Sequence, residues 1–357
     1  MLFKEVDELI KRITAILCIV AIIFNISGCK NRESSKYSAQ FLDFFDTVTE
    51  VVAYMDTKDE FTEYAQIVYD SLKEYHELYD IYHDYEGIQN IKTINDNAGI
   101  APVKVDGKII DMLLFAKEAY EKTDGNTNVA MGSVLSIWHN YREKGIENPE
   151  QASLPSMEEL SEASKHANIS KVIIDQEAST VYLEDTKMSL DVGAIAKGYA
   201  TEQVCNQVMD LGYSTGLLSV GGNIRAIGDK GAQHEYWNVA IQNPDLQASE
   251  SNLFVLELKN SSLVTSGDYE RFYTVSGKNY HHIIDPKTLM PATYFTSISI
   301  ICEDSGLADA LSTAVFNMPY EEGRTLIEGF TQTEAVWVFP NGDIKYTDGF
   351  EKLIHES

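Results

Sequence analysis

The chain has 357 residues and a formal net charge of −27, with 28 Lys and Arg set against 55 Asp and Glu. So acidic a protein lacks the basic face that nucleic acid requires, and it repels anionic lipid and anionic metabolites. A phosphate-bearing ligand would have to be met by a metal cation or by local backbone N–H groups.

Residues 1–28 read as a removable export signal. Ile13 to Ile26 is an apolar run of h-region length, short for a membrane span, with Lys11 and Arg12 just before it. Ile26-Ser27-Gly28-Cys29 resembles a bacterial lipobox: one aliphatic residue, two small ones, then the thiol that accepts the lipid. Cys29 is therefore expected to become a palmitate-bearing N-terminus, which puts the protein on the outer face of the cell membrane. The competing reading is a buried helix or an uncut anchor. Residues 29–40 show no periodic apolar face and are expected to form a flexible tether, with the folded domain spanning 41–357.

Phe45 to Met55 is strand-like, rich in Thr and Val. Asp59 to Tyr82 is helical, because Phe61, Ala65, Val68, Leu72, Tyr75, Leu78 and Tyr82 recur at three- and four-residue steps. Asp106 caps a helix that runs through Lys122 and stops at Thr123-Asp124-Gly125. A short helix near Ser156 to His166 leads to a strand pair, Lys171 to Ile174 and Ser179 to Leu183. Ala194 to Leu211 is helical and closed by Gly212. Strands are expected at Leu217 to Val220, Trp237 to Gln242, Leu253 to Leu258, Phe272 to Val275, Tyr280 to Ile284 and Ser297 to Cys302. A helix over Leu307 to Met318 follows, then strands at Val336 to Phe339 and Ile344 to Thr347 around an Asn341-Gly342 turn. The elements have no regular βαβ rhythm, which predicts an α+β fold with mixed, mainly antiparallel sheets and packed helices. Cys205 and Cys302 read as ordinary buried thiols, and no CxxC or His/Cys cluster suggests zinc.

Three segments carry chemistry. In Asp191-Val192-Gly193-Ala194-Ile195-Ala196-Lys197-Gly198, an acid precedes a small-residue turn that opens a helix, with a lysine one turn in. Such a turn offers N–H groups and a positive dipole to an anion, although a plain helix start explains it equally well. In Val220-Gly221-Gly222-Asn223, a strand runs into two glycines, which serve close packing or ligand approach. The third comprises Ser266-Gly267-Asp268-Tyr269-Glu270-Arg271, then His281-His282-Ile283-Ile284-Asp285, then Ala308-Asp309-Ala310-Leu311-Ser312-Thr313. Asp309 and Thr313 are four apart on a helix and share a face, a carboxylate and a hydroxyl that suit a hard cation such as magnesium. The alternative is a helix acid and a threonine bonded back to its own helix.

Together these segments, in this order, resemble the ApbE-type FAD:protein FMN transferases, over nearly all of the chain from about Phe41 to Phe350. The resemblance implies an ApbE, T-fold-like architecture. It implies Mg2+ held by the Ala194 carbonyl, Asp309 and Thr313, with Ser312 adjacent. It places FAD against Phe45, Tyr82, Asn126, Thr127, Asn128, Asp191, Lys197 and Ile284. The activity implied is transfer of FMN from FAD to a threonine hydroxyl of exported or membrane flavoproteins, redox-pump subunits among them, with release of AMP. The same site would also suit an FAD pyrophosphatase or a non-catalytic FAD-binding lipoprotein. His282 is the candidate base, because imidazole titrates near neutral pH; it could equally serve only as a hydrogen-bond partner. The chain departs from the family pattern in two places. Asp46 stands where Met-Gly-Thr has glycine, and Thr127-Asn128-Val129-Ala130 stands for Phe-Asp-Val-Thr.

Overall fold

A computed structural model describes residues 34–231, 235–245 and 247–355. The signal segment and Cys29 lie outside them. The chain opens with a long hairpin, β1 (Ser35–Phe44) and β2 (Thr47–Met55), paired in antiparallel register from Ser35↔Met55 to Phe44↔Thr47. Residues 35–40, expected to belong to the tether, are therefore the first half of an edge strand. Tyr37, Ala39 and Phe41 are only half-buried against the core, Phe44 alone is fully buried, and the apolar Leu42 faces outward, so the sequence shows little apolar periodicity. Phe45 and Asp46, expected inside a strand, are instead the two-residue turn, both left-handed at φ 53° and 52°.

Helix α1 (Lys58–Tyr79) starts where Thr57 accepts the Glu60 N–H at 3.2 Å, with Asp59 and Glu60 in its first turn. A short helix α2 (Ile91–Asp96), strand β3 (Val103–Lys104) and helix α3 (Gly107–Lys122) follow. Asp106 caps α3 as expected, accepting the Lys108 N–H at 2.8 Å. Helix α4 (Gly132–Glu147) was not legible in the sequence; α5 (Met157–Ser164) was. Strands β4 (Val172–Asp175) and β5 (Thr180–Leu183) join β3 in a small sheet of order β3-β5-β4.

Helix α6 (Ala196–Asp210) is followed by a tight hairpin, β6 (Gly216–Val220) and β7 (Asn223–Ile227), turning on Gly221-Gly222. Then come the hairpin β8 (Trp237–Gln242) and β9 (Asn252–Leu258), strand β10 (Ser262–Gly267), the hairpin β11 (Phe272–Val275) and β12 (Lys278–His281), and strand β13 (Ser297–Cys302). Helices α7 (Ser305–Phe316) and α8 (Tyr320–Glu328) precede β14 (Glu334–Val338) and β15 (Ile344–Tyr346). The main sheet has eight strands in the order β1-β2-β6-β7-β10-β13-β14-β15, every neighbouring pair antiparallel.

Alternation along the strands splits the core between the two faces of this sheet. Val51 and Ala53 of β2 pack with α1, α3 and α6, while Val52 between them packs with the β8–β9 hairpin. Ile298 and Ile300 of β13 likewise pack on α7, and Ile301 on the opposite side. Helices α6 and α7 thus lie together on one face. Cys205 and Cys302 are buried free thiols, as read from the sequence. Among the described residues, no helix is long and apolar enough to cross a membrane.

Candidate functional site

The turn before α6 is the starting point. In an uninterrupted helix the Gly198 N–H would bond back to the Ala194 carbonyl; here it donates to Asp309 Oδ2 on α7, at 2.8 Å. The Ala194 carbonyl is thereby left without that helical partner. The exchange requires the two helices to touch. A Cβ on Gly198 would stand 2.3 Å from the Ser305 carbonyl oxygen and 2.4 Å from Asp309 Cβ, so only glycine fits. Glu202, one turn on, fastens the same pair: its Oε2 accepts Arg225 Nε at 2.9 Å and the Ser305 N–H at 2.8 Å, all buried.

Asp309 is 4% exposed, and its countercharge is distant, Lys197 Nζ at 4.0 Å. Burial pushes its carboxyl above the usual carboxylate range. Lys197, the Gly198 N–H and the Asn223 side chain pull the other way, although the Asn223 amide makes no hydrogen bond of good geometry. Ser312, not Thr313, bonds back to its own helix, at 2.9 Å from the Asp309 carbonyl, and it also meets Ser266 at 2.8 Å. Thr313 lines the cavity instead. A carboxylate, a hydroxyl and a carbonyl therefore converge beside Lys197. Among the described residues, no three His, Cys, Asp or Glu side chains cluster as a metal cage.

These groups form one end of a cavity of about 870 Å³. Of the residues singled out in the sequence, Phe45, Tyr82, Asn126, Asn128, Asp191, Ala194, Lys197, His282, Ile284, Asp309 and Thr313 all line it. Thr127 does not. It is buried, and its Oγ1 donates to the Ala310 carbonyl at 2.7 Å, tying the loop to α7 rather than facing a ligand. Asn128 lines the wall with both polar ends engaged, to the Ala130 N–H and the Ala167 carbonyl. Asn126 donates to the Thr123 carbonyl and keeps a buried Oδ1 without a partner. Asp191 accepts the Gly193 N–H at 2.9 Å, and burial raises its carboxyl.

The two histidines of the His281-His282 pair do different work. His281 is buried, with Nε2 on the Ala292 carbonyl and Nδ1 accepting the Ile283 N–H. His282 Nδ1 sits 3.3 Å from the Arg271 carbonyl, which can only accept. Nδ1 therefore carries the proton, and Nε2 keeps a lone pair. Burial, with Arg271, His281, Lys197 and Arg142 nearby, pushes the imidazole down to about 3.

Sequence reasoning missed several lining residues. Leu135, Trp138, His139 and Arg142 face the cavity from α4 at helical steps, a spacing that could have revealed the helix. Arg142 and Arg271 make no ion pair among the described residues. The acidic chain thus presents side-chain cations to this cavity. The Gly221-Gly222 turn also lines the cavity, and a Cβ on Gly221 would stand 2.5 Å from Thr47 Oγ1 of the neighbouring hairpin.

Fold and cavity define an α+β enzyme whose cleft joins aromatic walls to a cationic end, as a nucleotide-like ligand demands. The chain belongs to the ApbE family, which matches residues 45–337. It is 34% identical over 272 residues to the FAD:protein FMN transferase of Treponema pallidum, covering 72% of this chain and 73% of that one. It is 29% identical over 255 residues to a protein of the same name from Klebsiella pneumoniae, covering 71% and 76%. The solved ApbE protein of Thermotoga maritima superposes with a TM-score of 0.78 at 29% identity, over 90% of this chain and 100% of that one.

Proposed function

We propose that this chain is a magnesium-dependent flavin transferase that moves FMN from FAD onto a threonine hydroxyl of exported or membrane flavoproteins, forming a phosphoester and releasing AMP. One observation carries the reading: a buried, poorly compensated carboxylate meets a freed carbonyl, a hydroxyl and unpaired cations at one end of a flavin-sized cavity. Its relatives are named FAD:protein FMN transferases, which supports the flavin transfer itself. Asp309, Thr313 and the Ala194 carbonyl are hard oxygen donors of the kind magnesium takes, and so sparse a set suits an ion that completes its shell with substrate phosphate. Bound there, magnesium would neutralise charge on the pyrophosphate.

The protein's own groups supply the rest. Lys197, Arg142 and Arg271 hold the pyrophosphate in line. Phe45 and Tyr82 flank the ring system. His282 Nε2 accepts the threonine proton as the threonine Oγ bonds to the FMN phosphorus. The bond from that phosphorus to the bridging oxygen breaks, and AMP leaves with it. The nearby cations that depress His282 are offset by the bound pyrophosphate, which makes the imidazole a better base with substrate present.

The lipobox supports attachment at Cys29 to the outer face of the membrane. The leash is short, because β1 begins at Ser35. Five residues, 30–34, span about 17 Å at most. The cavity lies at the far end of β1, about 33 Å along a ten-residue strand.

The test incubates the protein with FAD, Mg2+ and a threonine-bearing acceptor, followed by mass spectrometry. An FMN adduct on the threonine is expected. Free FMN and AMP without adduct would make the protein a pyrophosphatase, and intact FAD would make it a carrier; either overturns the proposal.

A further inference from the structure

We infer that Asp80, Tyr85 and His76 are positioning residues that lock the two aromatic walls of the cavity, Phe45 and Tyr82, to each other. The inference rests on the reading that these walls flank the flavin.

The need for a lock is visible in the backbone. Phe45 and Asp46 form the hairpin turn with both φ values positive, a conformation that bulky side chains resist. Asp tolerates it better than most residues, which accounts for its standing where the family pattern has glycine. Phe45 is the strained position, and it is also the wall residue.

The lock runs as a polarised chain. The Phe45 N–H donates to His76 Nδ1 at 3.3 Å, and the two rings meet edge to face at 5.5 Å. A backbone N–H can only donate, so Nδ1 holds the lone pair and the proton of the neutral ring sits on Nε2. Nε2 faces the Tyr85 hydroxyl at 3.4 Å. That hydroxyl donates to Asp80 Oδ2 at 2.7 Å. Asp80 is buried at the C-terminal end of α1, and its Oδ1 accepts the Tyr82 N–H at 2.6 Å and the His83 N–H at 3.2 Å. Its other oxygen also meets His83 Nδ1 at 2.9 Å. Burial works against the charge on Asp80, but these donors outweigh it and hold the carboxyl below its usual range.

One carboxylate therefore fixes Tyr82 directly and Phe45 through two intermediaries. Tyr82 is further held by stacking on His139, with centroids 5.3 Å apart. Every member of the chain lines the cavity, so none is remote from the ligand. The strained turn and the loop after α1 act as one jaw.

The test uses the full chain and reads FAD affinity by quenching of flavin fluorescence, alongside KM and kcat. Tyr85→Phe keeps the ring and removes the link. It is expected to weaken FAD binding and raise KM about two- to tenfold, the range of one neutral hydrogen bond, with a smaller effect on kcat. Phe45→Ala should weaken binding as well. The double variant should be no worse than Phe45→Ala alone, because the lock has nothing left to hold. Wild-type affinity in Tyr85→Phe, or additive effects in the double variant, overturns the lock while leaving the wall assignment standing. Wild-type affinity in Phe45→Ala overturns both.

Discussion

Gly198→Ala tests the central claim about how the site is built. Alanine would gain at most about 1 kcal/mol of helix propensity over glycine, since Gly198 lies in the first turn of α6. Against that, its Cβ must fit where the Ser305 oxygen is 2.3 Å away and Asp309 Cβ is 2.4 Å away. Carbon contacts are comfortable at about 3.5–4 Å, so α6 and α7 must part by roughly 1 Å. The neighbouring atoms are backbone and a Cβ, which cannot swing aside. Overpacking of this kind costs about 1–3 kcal/mol. The parting also strains the 2.8 Å bond from Gly198 N–H to Asp309, and a hydrogen bond to a charged group is worth about 1.5–3 kcal/mol. The net expectation is a folded protein destabilised by about 1–4 kcal/mol. Displacement of Asp309 by about 1 Å should slow FMN transfer roughly 100-fold and raise the magnesium concentration needed for half-maximal rate. Urea denaturation and a magnesium titration of transfer measure both. Gly107→Ala is the control: it opens α3 with nothing within 4 Å of an added Cβ, and should be neutral. If Gly198→Ala matches the wild type in stability and magnesium dependence, the close helix contact does not position Asp309.

Asp309→Asn should abolish transfer yet raise the melting temperature of the metal-free protein at pH 7.5. A carboxyl whose folded-state pKa is raised destabilises the fold increasingly as pH rises above its unfolded value, and Asn cannot ionise. Retained magnesium-dependent transfer would remove Asp309 from the metal. His282 sits in the opposite case for a base. Its folded-state pKa of about 3 lies below the unfolded value near 6.5, so the unfolded chain takes the proton first as pH falls. Relative to His282→Gln, the wild type should lose on the order of 1 kcal/mol of stability between pH 7 and 5, after discounting for solvent. Parallel stability curves would refute that shift, and normal transfer by His282→Gln would remove it as the base. Arg142→Ala should raise KM for FAD about tenfold or more through loss of a charged contact, and an unchanged KM would place the guanidinium outside the binding path. Cys29→Ser should move the protein from the membrane to the soluble fraction, and wild-type protein already in the soluble fraction would sink the anchor.

How much of this was legible depended on where each element spends its apolar residues. Helices α1 and α3 bury a continuous face, so the period located both and Asp106 fixed the start of α3, although α1 stops at Tyr79, three residues short of Tyr82. Helix α4 begins at Gly132 without a side-chain cap, and one of its faces lines a polar cavity. Its polar His139 and Arg142 break the apolar pattern because the surface they occupy is the candidate site. Strand β1 failed for a related reason. As an edge strand it has three half-buried positions before Phe44 at its far end, too few within 35–40 to tell from a tether.

Glycine shows the limit of local reading. The sequence marks Gly193, Gly221 and Gly222 as places where something approaches the backbone, but not what approaches, and it does not mark Gly198. At Gly198 it is the neighbouring helix, and at Gly221 the next hairpin's Thr47. Gly193 faces the cavity and meets only the oxygen of Asp191. Sequence distance conceals this division: Gly198 and Asp309 are 111 residues apart and share a hydrogen bond. The oxygen donors of the candidate metal site were legible as types, while the helix contact that frees one of them, the Ala194 carbonyl, exists only in the tertiary fold. A variant that spares all three donors and changes only Gly198 therefore separates possessing the donors from presenting them.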